Sequence, residues 1–442
     1  MTPGVQTGKA VLDLSIVTGP MRLLLLVLGP VALLALLARR KPGWWTRRVP
    51  VALAVGAAAA GLLVLVVQIL WRPFPDPLPR PAVLFTGLTV AALVLAVRRD
   101  AGWRRAPLAL LAVAAVGVSG AAQVNQQFQA YPTLRGVLGL PLQAQVPFAD
   151  LPRGPRAVVT APPGQPLDAA WSAPPGQSAT GVVTTVDILG RRSGFRARPA
   201  WVYLPPAYQS TPRPLLPVVV LVAGQPGTPR DWFDGGQLNQ VMDRYAAAHA
   251  GLAPVVVVPD ALGSQLANPL CVDSPAGDAF TYLSRDVPEW IDRTLQVDPD
   301  RARWAVGGIS AGATCALQLA VGQPATFPTA LVLSAQREPT LGSRAHTVRD
   351  RFGGSEAAFR AANPLDVLAR RHFADSAAVV AVGAQDALYG PQADALAAGM
   401  RAAGMTVRRA TAPGGHSWVV WRAVLADELP WLGSRLGLTA AG

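Results

Sequence analysis

Apolar positions fall in long unbroken runs over the first quarter of the chain and in short, interrupted ones after it. The long runs cover residues 18–38, 49–71, 79–97 and 106–122. Each approaches the ~20 residues that a helix needs to cross ~30 Å of hydrocarbon. Four in succession predict four membrane-spanning helices over residues 1–122 rather than four buried core helices. Arg22 lies near the end of its run, where a guanidinium can reach the interface. A cleaved leader is not expected, because another span follows the first run in place of a small-residue cleavage site.

From about residue 180 the pattern changes. "GVVTTVDI" and "PAWVYLP" read as early antiparallel strands. Apolar stretches at 216–224, 253–260, 303–308, 329–335 and 377–386 read as central strands buried on both faces. Helix-like segments at 236–249, 281–296, 312–322 and 392–403 separate them. This alternation predicts a doubly wound, mostly parallel sheet over residues 179–442, the α/β-hydrolase architecture, with ligands at the carboxyl ends of the strands. Residues 123–178 are rich in Pro, Gln and Ala and read as a linker. "AYPTLRGVLG" within them reads as a short helix.

Charge refines the membrane reading. The formal net charge is +13, and residues 1–130 carry 13 Lys and Arg against 3 Asp. The excess sits in short loops between the runs, so it reads as a topology signal, and no nucleic-acid partner is expected. Loop 39–48 holds five cations and loop 98–105 four, whereas loop 72–80 holds two and an acid. Positive loops stay inside. Both termini and everything after residue 123 are therefore expected outside the cytoplasm of a multi-pass cell-membrane protein. Trp44, Trp45, Trp71 and Trp103 fall at span ends, as interfacial aromatics do. The bilayer is the expected partner; the sequence leaves the oligomeric state open.

The candidate chemistry centres on Gly308-Ile309-Ser310-Ala311-Gly312. The match to G-x-S-x-G is weak alone. Its setting strengthens it, since a strand enters and an Ala-rich helix leaves, as at a nucleophile elbow. A serine hydroxyl needs a base, and in this fold the chain order is Ser, acid, His. Of His249, His346, His372 and His416, only His416 follows both the serine and the last apolar strand. Among Glu338, Asp350, Glu356, Asp366, Asp375, Asp386 and Asp394, Asp386 stands at the end of a strand and is the preferred acid, with Asp394 and Glu338 as alternatives. The oxyanion donors are expected to be the N–H groups of Ala311 and of Gln225 in "LVAGQPGTPRDWF". No metal-ligand cluster, phosphate loop or dinucleotide fingerprint is evident, so no cofactor or metal is expected.

The motifs "VYLPPAY", "AGQPGTPRDWF", "TYLSRDVPEWI", G-x-S-x-G and "PGGHSWVVW" together resemble the esterase D and antigen 85 mycolyltransferase-like group of α/β-hydrolases, in a membrane-anchored actinobacterial branch. The resemblance implies acyl-ester chemistry through an acyl-Ser310 intermediate, by a carboxylesterase or an acyltransferase of envelope lipid or glycolipid esters. It supports Ser310, His416 and the acid position. That group's mycolyltransferases use Glu as the triad acid and carry an acid before the oxyanion loop, where this chain has Asp386 and Ala223. The competing class is a non-catalytic envelope protein using a hydrolase-like domain for binding.

Cys271 and Cys315 are the two cysteines. Outside the cytoplasm disulfides persist, and two cysteines permit one bridge, against the alternative of two separate buried thiols. Cys315 lies five residues past Ser310, about 140° around the helix, so it is expected to face away from the nucleophile.

Overall fold

A computed structural model describes residues 11–98, 106–142, 144–151 and 156–440. Trp103 and most of the loop 98–105 lie outside the described residues. The chain divides into two units, Met1–Leu140 and Pro141–Gly442.

In the first unit, α1 (Gly19–Leu37), α2 (Trp44–Trp71), α3 (Arg80–Val97) and α4 (Ala106–Phe128) are each long and apolar enough to cross a membrane. Two differ from the apolar runs. The wide π turns Trp44–Arg48 and Leu65–Trp71 bracket the core of α2. Helix α4 runs on through Gln123–Phe128 beyond the apolar stretch. Small residues set the packing, as they do where lipid removes the hydrophobic drive between helices. A Cβ on Gly29 of α1 would lie 2.5 Å from Ser119 Cβ of α4. One on Gly120 of α4 would lie 2.5 Å from Phe85 Cβ of α3, and one on Gly56 of α2 2.4 Å from the Gly87 carbonyl of α3. Trp45 and Trp71 are exposed, whereas Trp44 is wholly buried. Its indole N–H donates to the Leu37 carbonyl at 3.0 Å, so Trp44 locks the α1–α2 turn instead of meeting lipid headgroups.

The second unit is built on eight strands, β1 (Val182–Val186), β2 (Ala200–Leu204), β3 (Val218–Val222), β4 (Val255–Val258), β5 (Trp304–Ile309), β6 (Thr329–Leu333), β7 (Ala377–Gly383) and β8 (Thr406–Ala412). Their order across the sheet is β8-β7-β6-β5-β3-β4-β2-β1. The pairings of β2 with β1 and with β4 are antiparallel and the others parallel. The expected strands and the antiparallel start are all present. The central strands are Val-rich and buried along their length because helices cover both faces. Strand β8, which exposes Thr406, Arg408 and Thr411, is one edge of the sheet, and β1 is the other. Helices α5 (Leu238–Ala248), α6 (Val287–Thr294), α7 (Ala311–Gly322), α8 (Gly390–Ala402) and α9 (Trp418–Arg435) fill the connections and the C-terminus.

The stretch expected to be a linker, 123–178, is not a free spacer. It completes α4 and carries the short helix Leu134–Val137, and from Pro141 it belongs to the second unit. Val158–Val159 pairs with Arg213–Pro214. Trp171 is buried and donates to the Ala250 carbonyl at 2.9 Å, while the Leu167 N–H donates to the Gly437 carbonyl at 3.0 Å. Two apolar side chains, Leu167 and Trp171, suffice to anchor a segment otherwise too polar to form a core.

Candidate active site

Strands β3, β5, β7 and β8 end at one edge of the sheet, and the expected residues come from the turns that follow them. Strand β5 runs directly into Ser310, whose backbone takes φ 52° and ψ −124° before α7 begins. This region is costly for a side chain, and the flanking glycines allow it. A Cβ on Gly308 would lie 2.2 Å from the Gly312 carbonyl oxygen, and one on Gly312 would lie 2.3 Å from that of Ala223 at the end of β3. The strand, the turn and the neighbouring strand are thus pressed together at positions that only glycine can occupy.

His416 arrives from the turn after β8, and Gly383 at the end of β7 makes room for that turn. A Cβ there would lie 2.4 Å from the Gly414 carbonyl. The imidazole Nε2 lies 3.0 Å from Ser310 Oγ, and its Nδ1 3.0 Å from Asp386 Oδ2. The tautomer follows from the partners. A carboxylate only accepts, so Nδ1–H donates to Asp386, and Nε2 presents its lone pair to the serine hydroxyl. Asp386 follows β7, its side chain is 5 % exposed, and its second oxygen accepts the Tyr389 N–H at 3.1 Å. The two alternative acids are elsewhere. Asp394 is 70 % exposed and holds Arg409 at 3.0 Å, and Glu338 faces Arg344 at 3.9 Å. The other histidines have partners of their own or lie apart. His249 meets the Tyr245 carbonyl, His346 meets Asp350, and His372 packs beside Gly404.

The loop after β3 passes the serine, with a Cβ on Gly224 falling 3.5 Å from Ser310 Cβ. This brings the loop that continues into Gln225 close to the elbow from which Ala311 begins α7. The loop is braced from below. Arg198 donates to the Gly227 carbonyl at 2.9 Å and makes a two-pronged pair with buried Asp260 at 2.6 and 3.0 Å. Asp231 accepts from the Thr228 N–H at 2.8 Å and from its hydroxyl at 3.0 Å. Burial pushes the Asp231 carboxyl above the usual carboxylate range, and the Thr228 hydrogen bonds pull against it. Cys271 and Cys315 form a disulfide with Cα atoms 5.2 Å apart. With Ala223, Ala311 and Gly312 they line a cavity of about 20 Å³. The bridge therefore stands beside the elbow.

Two groups hold the base: Tyr389, which sequence reasoning did not single out, and Trp421, which it noted only within the "PGGHSWVVW" resemblance. Tyr389 stacks on the imidazole with centroids 4.2 Å apart and planes 24° apart. Trp421 meets it edge to face at 4.9 Å. The Trp421 indole N–H donates at 3.0 Å to Ser334 Oγ, at the end of β6. The spacing signals were present: Tyr389 stands three residues past the acid, and Trp421 five past the base.

This strand order, with serine, histidine and carboxylate aligned at the carboxyl edge, is that of an α/β-hydrolase and defines a serine esterase. Residues 195–432 match the Esterase family model, more than half of the chain, and the protein belongs to that family. An uncharacterized protein of Corynebacterium glutamicum is 38% identical over 419 residues, covering 92% of this chain and 93% of its own. Coverage that wide extends beyond the hydrolase domain into the first unit. Among solved structures, a ferulic acid esterase is similar over 60% of this chain and 100% of its own, at 20% identity and a TM-score of 0.51, a likeness of fold. An S-formylglutathione hydrolase from Agrobacterium tumefaciens covers 59% of this chain and 97% of its own, at 17% identity and a TM-score of 0.49.

Proposed function

We propose that the protein is a membrane-anchored serine esterase or acyltransferase whose catalytic domain works outside the cytoplasm on lipid or glycolipid esters of the cell envelope. One observation carries the chemistry: a single imidazole joins Ser310 Oγ and Asp386 Oδ2, each at 3.0 Å. In this reading His416 Nε2 takes the serine proton as Oγ attacks the ester carbonyl. The carbonyl oxygen becomes an oxyanion between the N–H groups of Ala311 and Gln225. Collapse breaks the ester C–O bond, and His416 returns its proton to the leaving alcohol. Water, or a second alcohol, then attacks the acyl carbon and gives its proton to His416, which passes it to Ser310 Oγ as the acyl–Oγ bond breaks. The aqueous route is hydrolysis and the other is acyl transfer.

The four apolar helices and the cation-rich loop 39–48 support the location. An ester drawn from the envelope is the substrate class that an anchored domain meets first. The test is labelling of the full chain with a fluorophosphonate probe, alongside turnover of a short p-nitrophenyl ester. Ser310→Ala is expected to abolish labelling and to lower kcat by roughly 10⁵-fold or more. Labelling that survives in folded Ser310→Ala protein overturns the assignment. Comparing lipid extracts of envelopes with and without the enzyme then identifies the ester consumed.

A further inference from the structure

In the first unit a groove of about 540 Å³ runs between α2 and α3. Its origin is local. Gly56 and Gly87 bring the two backbones into contact. Beside that contact α2 presents Ala57 and Ala60, too small to fill the space that Leu84 and Leu88 of α3 leave. The lining is apolar except at one end, where Leu78 and Arg80 close it. From Arg80 to Ala91, the deepest lining residue on α3, the helix rises about 16 Å at ~1.5 Å per residue. That is close to half of a ~30 Å hydrocarbon core. The groove thus has the length of one leaflet, with its cation at headgroup depth.

The charges at that end are divided. Arg72 donates from Nε to the Ile69 carbonyl at 3.0 Å and so caps α2. Asp76 is the acid of the connecting loop. Exposed Arg80 stands at the groove mouth and has a guanidinium fork suited to a phosphate. A fully zwitterionic or neutral amphiphile would gain less from this arrangement than an anionic one.

We propose that the groove between α2 and α3 holds one acyl chain of an anionic phospholipid, with the Arg80 guanidinium on its phosphate. This rests on the reading that α2 and α3 span a bilayer. The test uses the full chain, purified in neutral detergent and offered equal amounts of phosphatidylglycerol and phosphatidylcholine, with bound lipid counted by native mass spectrometry. The expected result is retention of phosphatidylglycerol over phosphatidylcholine by about fivefold. Arg80→Gln is expected to equalise the two, Arg80→Lys to keep the preference, and Ala57→Phe to lose both lipids by filling the groove. Helical content by circular dichroism monitors the fold of each variant. Equal retention by the unaltered chain, or an undiminished preference in Arg80→Gln, overturns the proposal. Failure of the spanning reading is distinguishable, because the chain would then stay soluble and monodisperse without detergent.

Discussion

Ser310 sits in a backbone conformation that costs a non-glycine residue about 1–3 kcal/mol, and the surroundings must hold it there. They do so through contacts on both sides, the Gly308–Gly312 approach and the Gly312–Ala223 approach. The base is held differently, by aromatic rings. Tyr389 lies against one face of His416, and its N–H anchors Asp386, so one residue orients both partners of the serine. Tyr389→Leu is expected to lower kcat about tenfold with KM nearly unchanged, because the imidazole gains freedom while the substrate contacts remain. Tyr389→Phe keeps the ring and is expected to retain most of kcat. A purely structural role would instead lower the melting temperature in step with activity, and steady-state kinetics beside a thermal melt separates the two. Equal loss in the Leu and Phe variants would remove the ring from this role.

Among the elements, α7 carries both Ala311, the proposed oxyanion donor, and Cys315, and the disulfide ties it to the segment after β4. The cross-link spans a sequence separation of 44. Closing a loop of that size restricts the unfolded chain by about 4 kcal/mol in the chain-entropy account. The double substitution Cys271→Ser with Cys315→Ser is therefore expected to lower Tm by roughly 10 °C in a calorimetric scan. A shift within a degree of zero would mean that packing alone holds the two segments. Much of this was legible in the sequence where the signal is local. Apolar runs of two characteristic lengths separated spans from strands, and glycines beside Ser310 marked a turn that only they permit. Asp386 could be preferred to Asp394 because it follows a strand end, but Arg409, which occupies Asp394, comes from the neighbouring edge strand. The Ser334–Trp421–His416 chain joins β6 to α9 across 87 residues, and no local pattern encodes such a contact. The burial of Trp44 and of the segment after Pro141 escaped for the same reason: polar or interfacial composition was overridden by one or two well-placed tertiary contacts.

For the whole molecule, charge and chemistry make a joint demand on topology. Loop 39–48 carries five cations, the connection between α2 and α3 far fewer, and the insertion bias retains the former inside. On the proposed reading, four spans among the described residues leave the chain after α4 on the same side as the start of α1, outside, where a disulfide such as Cys271–Cys315 persists without a reducing glutathione pool. Cations in the first unit and sulfur in the second both favour this reading. Single cysteines placed at exposed positions of the disulfide-free background test this directly. In intact cells a membrane-impermeant maleimide is expected to label Pro77→Cys in the connection between α2 and α3, and Leu189→Cys in the hydrolase domain. Thr46→Cys, in the exposed first turn of α2, is expected to label only after lysis. The reverse pattern would place the esterase in the cytoplasm. There Ser310 would meet soluble esters rather than the envelope, and the bridge would have to survive against the cell's reducing poise.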